Sequence, residues 1–333
     1  MNKVTIKNSG HTFDVRPSQT VLQAAIDAGI NLPYGCRNGA CGSCKAKLVT
    51  GKVMHNDYQS SAMSDAELAA GNALLCCAMA LEDLTIECRE VGGLAGIKPR
   101  ILPARLAKKE QLADDVIALH LQLPASERLQ FKAGQFVEII LKDGKRRAYS
   151  IANAPHENDF LQLHVRIMKG GVFSEMVKNE LQEKAILRLE APFGSFFLRE
   201  ESQKPVIFLA TGTGIAPIKG IIEHMLHNNT KRDIHLYSGA RNLADLYLHD
   251  LCQKWSEFAP HIRYTPVLSQ ADNNWQGQTG YVQNEVLKEV KDLVGYQVYA
   301  CGSPAMIDDA RALFTQNGLS EDDFFADAFT HAV

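Results

Sequence analysis

Nowhere in this chain do about 20 predominantly apolar residues follow one another, so it lacks a run long enough to cross a membrane, and no membrane partner is expected. It has no excess of basic residues either. Lys and Arg number 35 against 38 Asp and Glu, a net charge of -3, which leaves no electrostatic footprint for nucleic acid. The opening MNKVTIKNSGHTFDV alternates polar and apolar residues and has no apolar signal core, so a cytoplasmic protein is expected. Paired carboxylates, a zincin helix, a serine triad and a Walker loop are also missing, which argues against hydrolytic or phosphoryl-transfer chemistry. What is present is an ordinary globular composition, 46% hydrophobic and 22% charged, spread over 333 residues. That length exceeds what one hydrophobic core organises, so two or three domains are expected.

Cysteine is not scarce. There are eight: Cys36, Cys41, Cys44, Cys76, Cys77, Cys88, Cys252 and Cys301. A reducing cytoplasm disfavours structural disulfides, so a tight cluster such as CRNGACGSC (36–44) points to metal or redox chemistry. Zinc sites usually take two separated C-x-x-C pairs, and there is no second pair. Instead Cys36, Cys41 and Cys44 stand four and two residues apart, with Cys76 downstream, the plant-type spacing for a 2Fe-2S cluster. Gly35, Gly39 and Gly42 let the loop approach a cluster closely and aim amides at sulfur.

VTIK and TFDV read as a hairpin, SQTVLQAAIDAG (18–29) as a helix capped at Ser18 and stopped at Gly29, and KAKLVTG and LTIEC as strands. With LPYGCRNGACGSC and LLCCA, that order resembles the β-grasp fold of plant-type ferredoxins over residues 1–91. The resemblance makes Cys76 the fourth ligand. Cys77 stands where that family commonly has glutamine, and is the alternative ligand. Cys88 reads as a buried strand residue, and residues 92–100, within VGGLAGIKPR, as a linker.

Residues 101–200 alternate as strands in VIALHLQL, QFVEIIL, RAYSIAN, LQLHVRI and AILRLEA, which suggests an antiparallel β-barrel. Arg147-Ala148-Tyr149-Ser150 offers a cation for phosphate, an aromatic plane and a hydroxyl, the groups that a flavin nucleotide requires. Alone, the tetrapeptide reads sooner as a core tyrosine beside a surface arginine. Downstream, LHVRIMKGGVFSEMV has a strand, Gly170-Gly171, and a helix opening near Ser174, an anion site. Together these resemble the flavin domain of the ferredoxin-NADP reductase superfamily, as does PFGSF (192–196). By that resemblance Arg147, Tyr149 and Ser150 hold flavin phosphate, ring face and ring edge. His164 and Val165 line the outer ring, Gly171, Val172 and Ser174 cradle phosphates, and the flavin is FAD.

From residue 201 to 333 the rhythm becomes strand, helix, strand, an α/β domain with a parallel sheet. VIFLATG runs into Gly212-Thr213-Gly214-Ile215-Ala216-Pro217 and then a periodic helix, where a dinucleotide's phosphates would sit. Pro217 fits the first turn of that helix. QVYACGSPAMI repeats the plan with Cys301, Gly302 and Pro304. By the same resemblance Cys301 lies beside the nicotinamide, Thr213 lies between the two rings, and the terminal aromatic Phe329 covers the flavin. With Ser150, Thr213 and Cys301 form the catalytic set, Cys301 acting by position and electrostatics. In SGARNLADLY, Arg241 could pair with a 2'-phosphate and Asp245 would repel one or bond a ribose hydroxyl. Similar NADH-linked reductases carry a comparable phrase, which favours NADH with NADPH possible.

The three modules in series resemble ferredoxin-containing flavoprotein reductases. The resemblance implies an oxidoreductase that passes electrons from NAD(P)H through FAD to a 2Fe-2S cluster and on to a protein acceptor. FFADAFT and the opening phrase look most like the CDP-6-deoxy-glucoseen reductases, which serve a sugar dehydratase. Reductase components of mono- or dioxygenases, or free flavin or quinone reductases, are the alternative. A zinc-binding regulatory protein and a directly acting dehydrogenase are the readings from other classes.

Overall fold

The amino-terminal hairpin forms as its alternation requires. In the computed structural model, which describes residues 1–94 and 96–330, strand Asn2–Ile6 pairs antiparallel with Thr12–Val15 and buries Val4, Ile6, Phe13 and Val15 on one face. Asn2–Ile6 also pairs parallel with Leu84–Glu87, which in turn pairs with Lys45–Thr50, and Asn72–Leu74 pairs with the far side of Lys45–Thr50 to complete a five-stranded mixed sheet. Helix Val21–Asp27 crosses it and buries Val21, Leu22, Ala24 and Ala25. Its cap is Thr20, whose hydroxyl accepts from the Gln23 amide at 3.3 Å, while Ser18 has φ +63° and sits in the preceding turn. Strands Val53–His55 and Ala78–Ala80 make a small second sheet. Cys88 is buried one residue past the end of Leu84–Glu87. This is the β-grasp arrangement, and it forms one unit built on Met1–Lys98.

The second unit, Pro99–Phe329, contains two six-stranded sheets. The first is antiparallel, in the order Arg146–Ser150, Phe136–Ile140, Ile186–Phe193, Arg100–Ala113, Val116–Gln122, Leu161–Arg166. Its two edges touch through an isolated bridge, Ile151 to Leu163, with the Ala152 amide donating to the Gln162 carbonyl at 2.7 Å, so the expected barrel is a sheet whose edges share a stitch and no ladder. The 14-residue strand Arg100–Ala113 was not among the expected strands. Only its first half alternates, with Leu102, Ala104 and Leu106 buried, and Pro103 faces outward where no amide is needed.

The second sheet is parallel throughout, in the order Gln278–Thr279, Ile262–Leu268, Ile234–Ala240, Val206–Thr211, Gln297–Gly302, Phe324–Ala328. The chain moves outward from Val206–Thr211 in one direction and later returns to add Gln297–Gly302 on the other side. That reversal leaves a crevice at the carboxyl ends of these two strands. Helices Ile215–His227 and Pro304–Gln316 start directly after them. The core beneath includes Phe208, Ile218 and Ile222, with Tyr299 stacked on Phe325 at 4.6 Å. Buried Lys219, on helix Ile215–His227, reaches the other sheet, donating to the Ala152 carbonyl and to Gln162 Oε1 at 3.2 Å each. Among the described residues no helix is long and apolar enough to cross a membrane.

Candidate active site

The cysteine loop has no regular structure, yet its sulfurs are well supplied with donors. The Ala40 and Cys41 amides donate to Cys36 Sγ at 3.4 and 3.3 Å, the Cys36 amide to Cys41 Sγ at 3.4 Å, and the Cys76 amide to Cys44 Sγ at 3.4 Å. Ser43 Oγ lies 3.4 Å from Cys41 Sγ. Gly39, at φ +73°, lets the loop turn where a side chain would collide with Cys77 Sγ and Tyr58. Arg37 ties the loop to the first helix by donating to Gln23 Oε1 at 2.7 Å.

The thiols are paired. A hydrogen bond between Cys36 and Cys41 holds Cys41 down at about 6 and, with burial, pushes Cys36 up. A hydrogen bond with Cys44 pushes Cys76 up to about 12. Two pairs of thiols, with three amides aimed at the first pair and one at the second, would supply the four thiolates that a 2Fe-2S cluster takes. Cys76 lies against Cys44 in this set, with Cys77 buried beside it.

The other site is assembled from distant segments. Ser150 ends its strand buried, with its hydroxyl 3.5 Å from a carboxylate oxygen of Asp327. Asp327 lies on the last strand in register with Cys301, so the carboxylate that meets Ser150 comes from the strand paired with the C-G-S-P turn. Cys301 is 0% exposed, and burial, then Asp327, push its thiol well above the usual range, so it stays neutral. The crevice closes tightly around it. A side chain on Gly214 would collide with the Cys301 carbonyl, and one on Gly302, at φ +132°, with Thr211. The Ser303 amide donates to Thr211 Oγ1 at 2.9 Å, which holds the two turns together. Thr213 is half-buried between them, in the short 3-10 turn Gly212–Gly214. Pro217 occupies the third position of its helix and Pro304 the first, both where amides lack intrahelical acceptors. Phe329 follows the last strand, its amide donating to the Gly302 carbonyl at 2.8 Å and its ring 37% exposed.

On the flavin side Tyr149 packs against Phe173 with ring centroids 5.2 Å apart, and burial raises its hydroxyl to about 12. Arg147 donates only to the Arg146 carbonyl, at 2.8 Å, whereas neighbouring Arg146 is paired with Glu138 and Glu190. His164 is buried, and desolvation holds it at about 3, hence neutral. Its Nδ1 lies 3.0 Å from the Tyr247 hydroxyl, and its Nε2 is buried without a partner. An orphaned imidazole nitrogen beside this crevice suits a polar ligand such as a flavin ring.

Val165 differs from the expectation: alternation turns its side chain, with Leu163, into the sheet core, and only its backbone is left for a ligand. Gly171 precedes helix Val172–Asn179, whose first amides, from Val172, Phe173 and Ser174, have no intrahelical acceptor. Val172 is 60% exposed there. The Ser174 hydroxyl holds the loop, accepting from the Met168 amide at 3.1 Å and lying 3.0 Å from the Gly171 carbonyl.

Three functional groups escaped the sequence reading: Asp327, Tyr247 and Arg166. Arg166 shares the outward face of its strand with His164. Its Nη1 would lie 3.1 Å from a Cβ on Gly212, its Nη2 is buried without an acceptor, and Nε lies 3.3 Å from Asp115. A guanidinium set against a dinucleotide-type glycine turn is an anion site. Alternation from His164 was the signal that could have found it. Gly212, Ser238, Asp245, Tyr247 and His249 line one cleft next to that turn. Arg241 is exposed and lies outside it.

Three family models match the chain: a 2Fe-2S iron-sulfur cluster binding domain over residues 4–81, an oxidoreductase FAD-binding domain over 103–198 and an oxidoreductase NAD-binding domain over 208–312. The CDP-6-deoxy-L-threo-D-glycero-4-hexulose-3-dehydrase reductase of Yersinia pestis is 40% identical over 98% of both chains. A reductase component of the terephthalate 1,2-dioxygenase of a Comamonas species is 36% identical over 98% of this chain and 97% of its own. Among solved structures, an Amycolatopsis cytochrome P450 reductase matches with TM-score 0.83 and 31% identity, covering 100% of both chains.

Proposed function

As the chain belongs to the iron-sulfur flavoprotein reductases, NAD(P)H-dependent oxidoreductases with a 2Fe-2S, an FAD-binding and an NAD-binding domain, we propose that its acceptor is a CDP-hexulose dehydrase. The observation that carries this choice is 40% identity, sustained over 98% of both chains, to a reductase named for that partner. Oxygenase components are the second reading, supported by 36% identity over nearly the same span to a dioxygenase reductase. FAD, when bound, takes two electrons together from the nicotinamide and releases them singly to the cluster. A reducing cytoplasm is the setting that suits eight unpaired cysteines.

In this reading residues 1–91 hold the cluster through Cys36, Cys41, Cys44 and Cys76, residues 101–200 hold FAD, and residues 201–333 hold NADH. Arg147 and the amides after Gly171 bind flavin phosphates, and Tyr149, with Phe329 opposite, encloses the ring. Ser150 bonds the ring edge while Asp327 orients its hydroxyl, and His164 offers its unpartnered Nε2. Thr213 and Cys301 position the nicotinamide from the two interlocked turns, the neutral thiol excluding water. Arg166 takes the pyrophosphate beside Gly212. Asp245 lines the cleft and Arg241 does not, which favours a ribose hydroxyl over a 2'-phosphate and so NADH.

The test is anaerobic reduction by NADH followed by mixing with a purified CDP-hexulose dehydrase or with an oxygenase component. Reoxidation of the cluster within turnover time by the dehydrase alone supports the choice. Reoxidation only by the oxygenase component replaces it with the second reading.

A further inference from the structure

We propose that the thiol of Cys77 donates a hydrogen bond to the sulfur of Cys76 and so raises the midpoint potential of the cluster; this rests on Cys76 being the fourth ligand. Consecutive side chains in an extended segment point to opposite sides. Here Leu74 to Cys77 form a turn, closed by the Cys77 amide donating to the Leu74 carbonyl at 2.9 Å, and the two sulfurs come within 3.6 Å of each other. Both side chains are buried, so no water competes readily for the contact.

The direction of the bond follows from the chemistry. As an iron ligand Cys76 is a thiolate and has no proton to give, so Cys77 is the donor. Cys77 Sγ has one other acceptor in reach, the Asp57 carbonyl, also at 3.6 Å. The thiolate carries more negative charge, and a charge-assisted bond is the stronger of the two.

The loop is shaped around this sulfur: a Cβ on Gly39 would stand only 2.7 Å from Cys77 Sγ. Glycine at 39 therefore admits Cys77 to a position from which its proton reaches the ligand. A hydrogen bond to a cluster sulfur favours the more negative, reduced state, and is one of the levers that set the potential. Cys77 is thus a positioning residue that acts on the cluster through Cys76.

The experiment compares the full-length protein with Cys77→Ala and Cys77→Ser by iron and sulfide analysis and by a mediated redox titration followed by electron paramagnetic resonance. Both variants should keep wild-type iron and sulfide. Cys77→Ala should titrate at a lower potential than the parent, with Cys77→Ser, whose hydroxyl still donates, between them. In the parent, exchange into deuterium oxide should remove a strong proton coupling from the reduced cluster that Cys77→Ala lacks from the start. An unchanged potential in a fully loaded Cys77→Ala variant overturns the proposal, as does loss of iron from both Cys77 variants, because removing a donor leaves four ligands in place. Cys76→Ala serves as the control on the ligand reading: if it keeps iron while the Cys77 variants lose it, the ligand is Cys77 and that reading fails separately.

Discussion

The cysteine loop and the crevice of the second unit meet opposite electrostatic demands. Around the cysteines, backbone amides from consecutive residues converge on sulfur and favour negative charge. In the crevice the chain buries an imidazole and a thiol so completely that both stay neutral, and it brings Ser150 to a carboxylate 177 residues away. A site made of backbone depends on few side chains, namely its cysteines, and on the glycine that lets the loop turn beside them. A site made of side chains from four segments is exposed to change at each one. The comparison therefore predicts abrupt failure in the loop and graded losses in the crevice.

The largest effect should come from the loop. Cys41→Ala removes one of four ligands, and electron delivery to a one-electron acceptor such as cytochrome c should fall on the order of 100-fold or more, with iron and sulfide lost. The crevice should be untouched, so bleaching of the flavin by NADH should keep its rate in stopped-flow measurements. If flavin reduction collapses together with the cluster, the two regions are not separable in the way described. Next is Ser150→Ala, which deletes the hydroxyl that Asp327 orients. A hydrogen bond to a charged group is worth about 1.5–3 kcal/mol, so NADH should reduce the flavin about 10- to 100-fold more slowly, with iron content unchanged.

Smaller losses should come from the groups that hold the nucleotide. Arg166→Ala should raise the KM for NADH roughly 10-fold with little change in kcat, by loss of one charge-assisted contact. Equal falls in kcat and in kcat/KM would instead place Arg166 in the chemistry. Asp245→Ala should narrow the preference for NADH over NADPH by about fivefold, from about 1 kcal/mol of lost ribose bonding and relieved repulsion, as read from the ratio of the two kcat/KM values.

The same contrast explains what could be read from residue order. Three of the four proposed ligands could be read from spacing within nine residues and the fourth, Cys76, only from a resemblance, while the interlocked turns were legible because glycine and proline stand at strand ends. Asp327 and Tyr247 were not legible, since nothing periodic links them to Ser150 or His164; the pairings exist only once two sheets are docked. Val165 shows the two readings side by side: a resemblance sets it at the ring, while the strand's own alternation turns its side chain into the core and leaves its backbone for a ligand. Strand Arg100–Ala113 was hidden by its proline and its charged second half, although pairing on both sides carries it through. The helix cap at Thr20 was missed by two residues because Ser18 offers the same hydroxyl, and only the backbone turn distinguishes them.

A stability measurement, which leaves turnover aside, tests the neutrality of His164 directly. Burial holds His164 at about 3 in the folded chain, below the ordinary histidine value of about 6.5 that it regains on unfolding. Between those two values the unfolded chain binds a proton that the folded chain refuses. Stability is therefore complete above about pH 6.5 and falls as the pH drops through that window, by at most about 1.4 kcal/mol per pH unit from this residue. Replacing His164 with Gln keeps a polar partner for Tyr247 but removes the titration. Urea unfolding should then show the variant less stable than the parent at pH 7.5, with the gap narrowing by pH 5. Carboxylates titrate in both proteins and cancel in the difference. A gap that stays constant from pH 7.5 to 5 would mean that water or a counter-charge reaches the imidazole, and that His164 does not have the dry surroundings that set this part of the crevice apart from the cysteine loop.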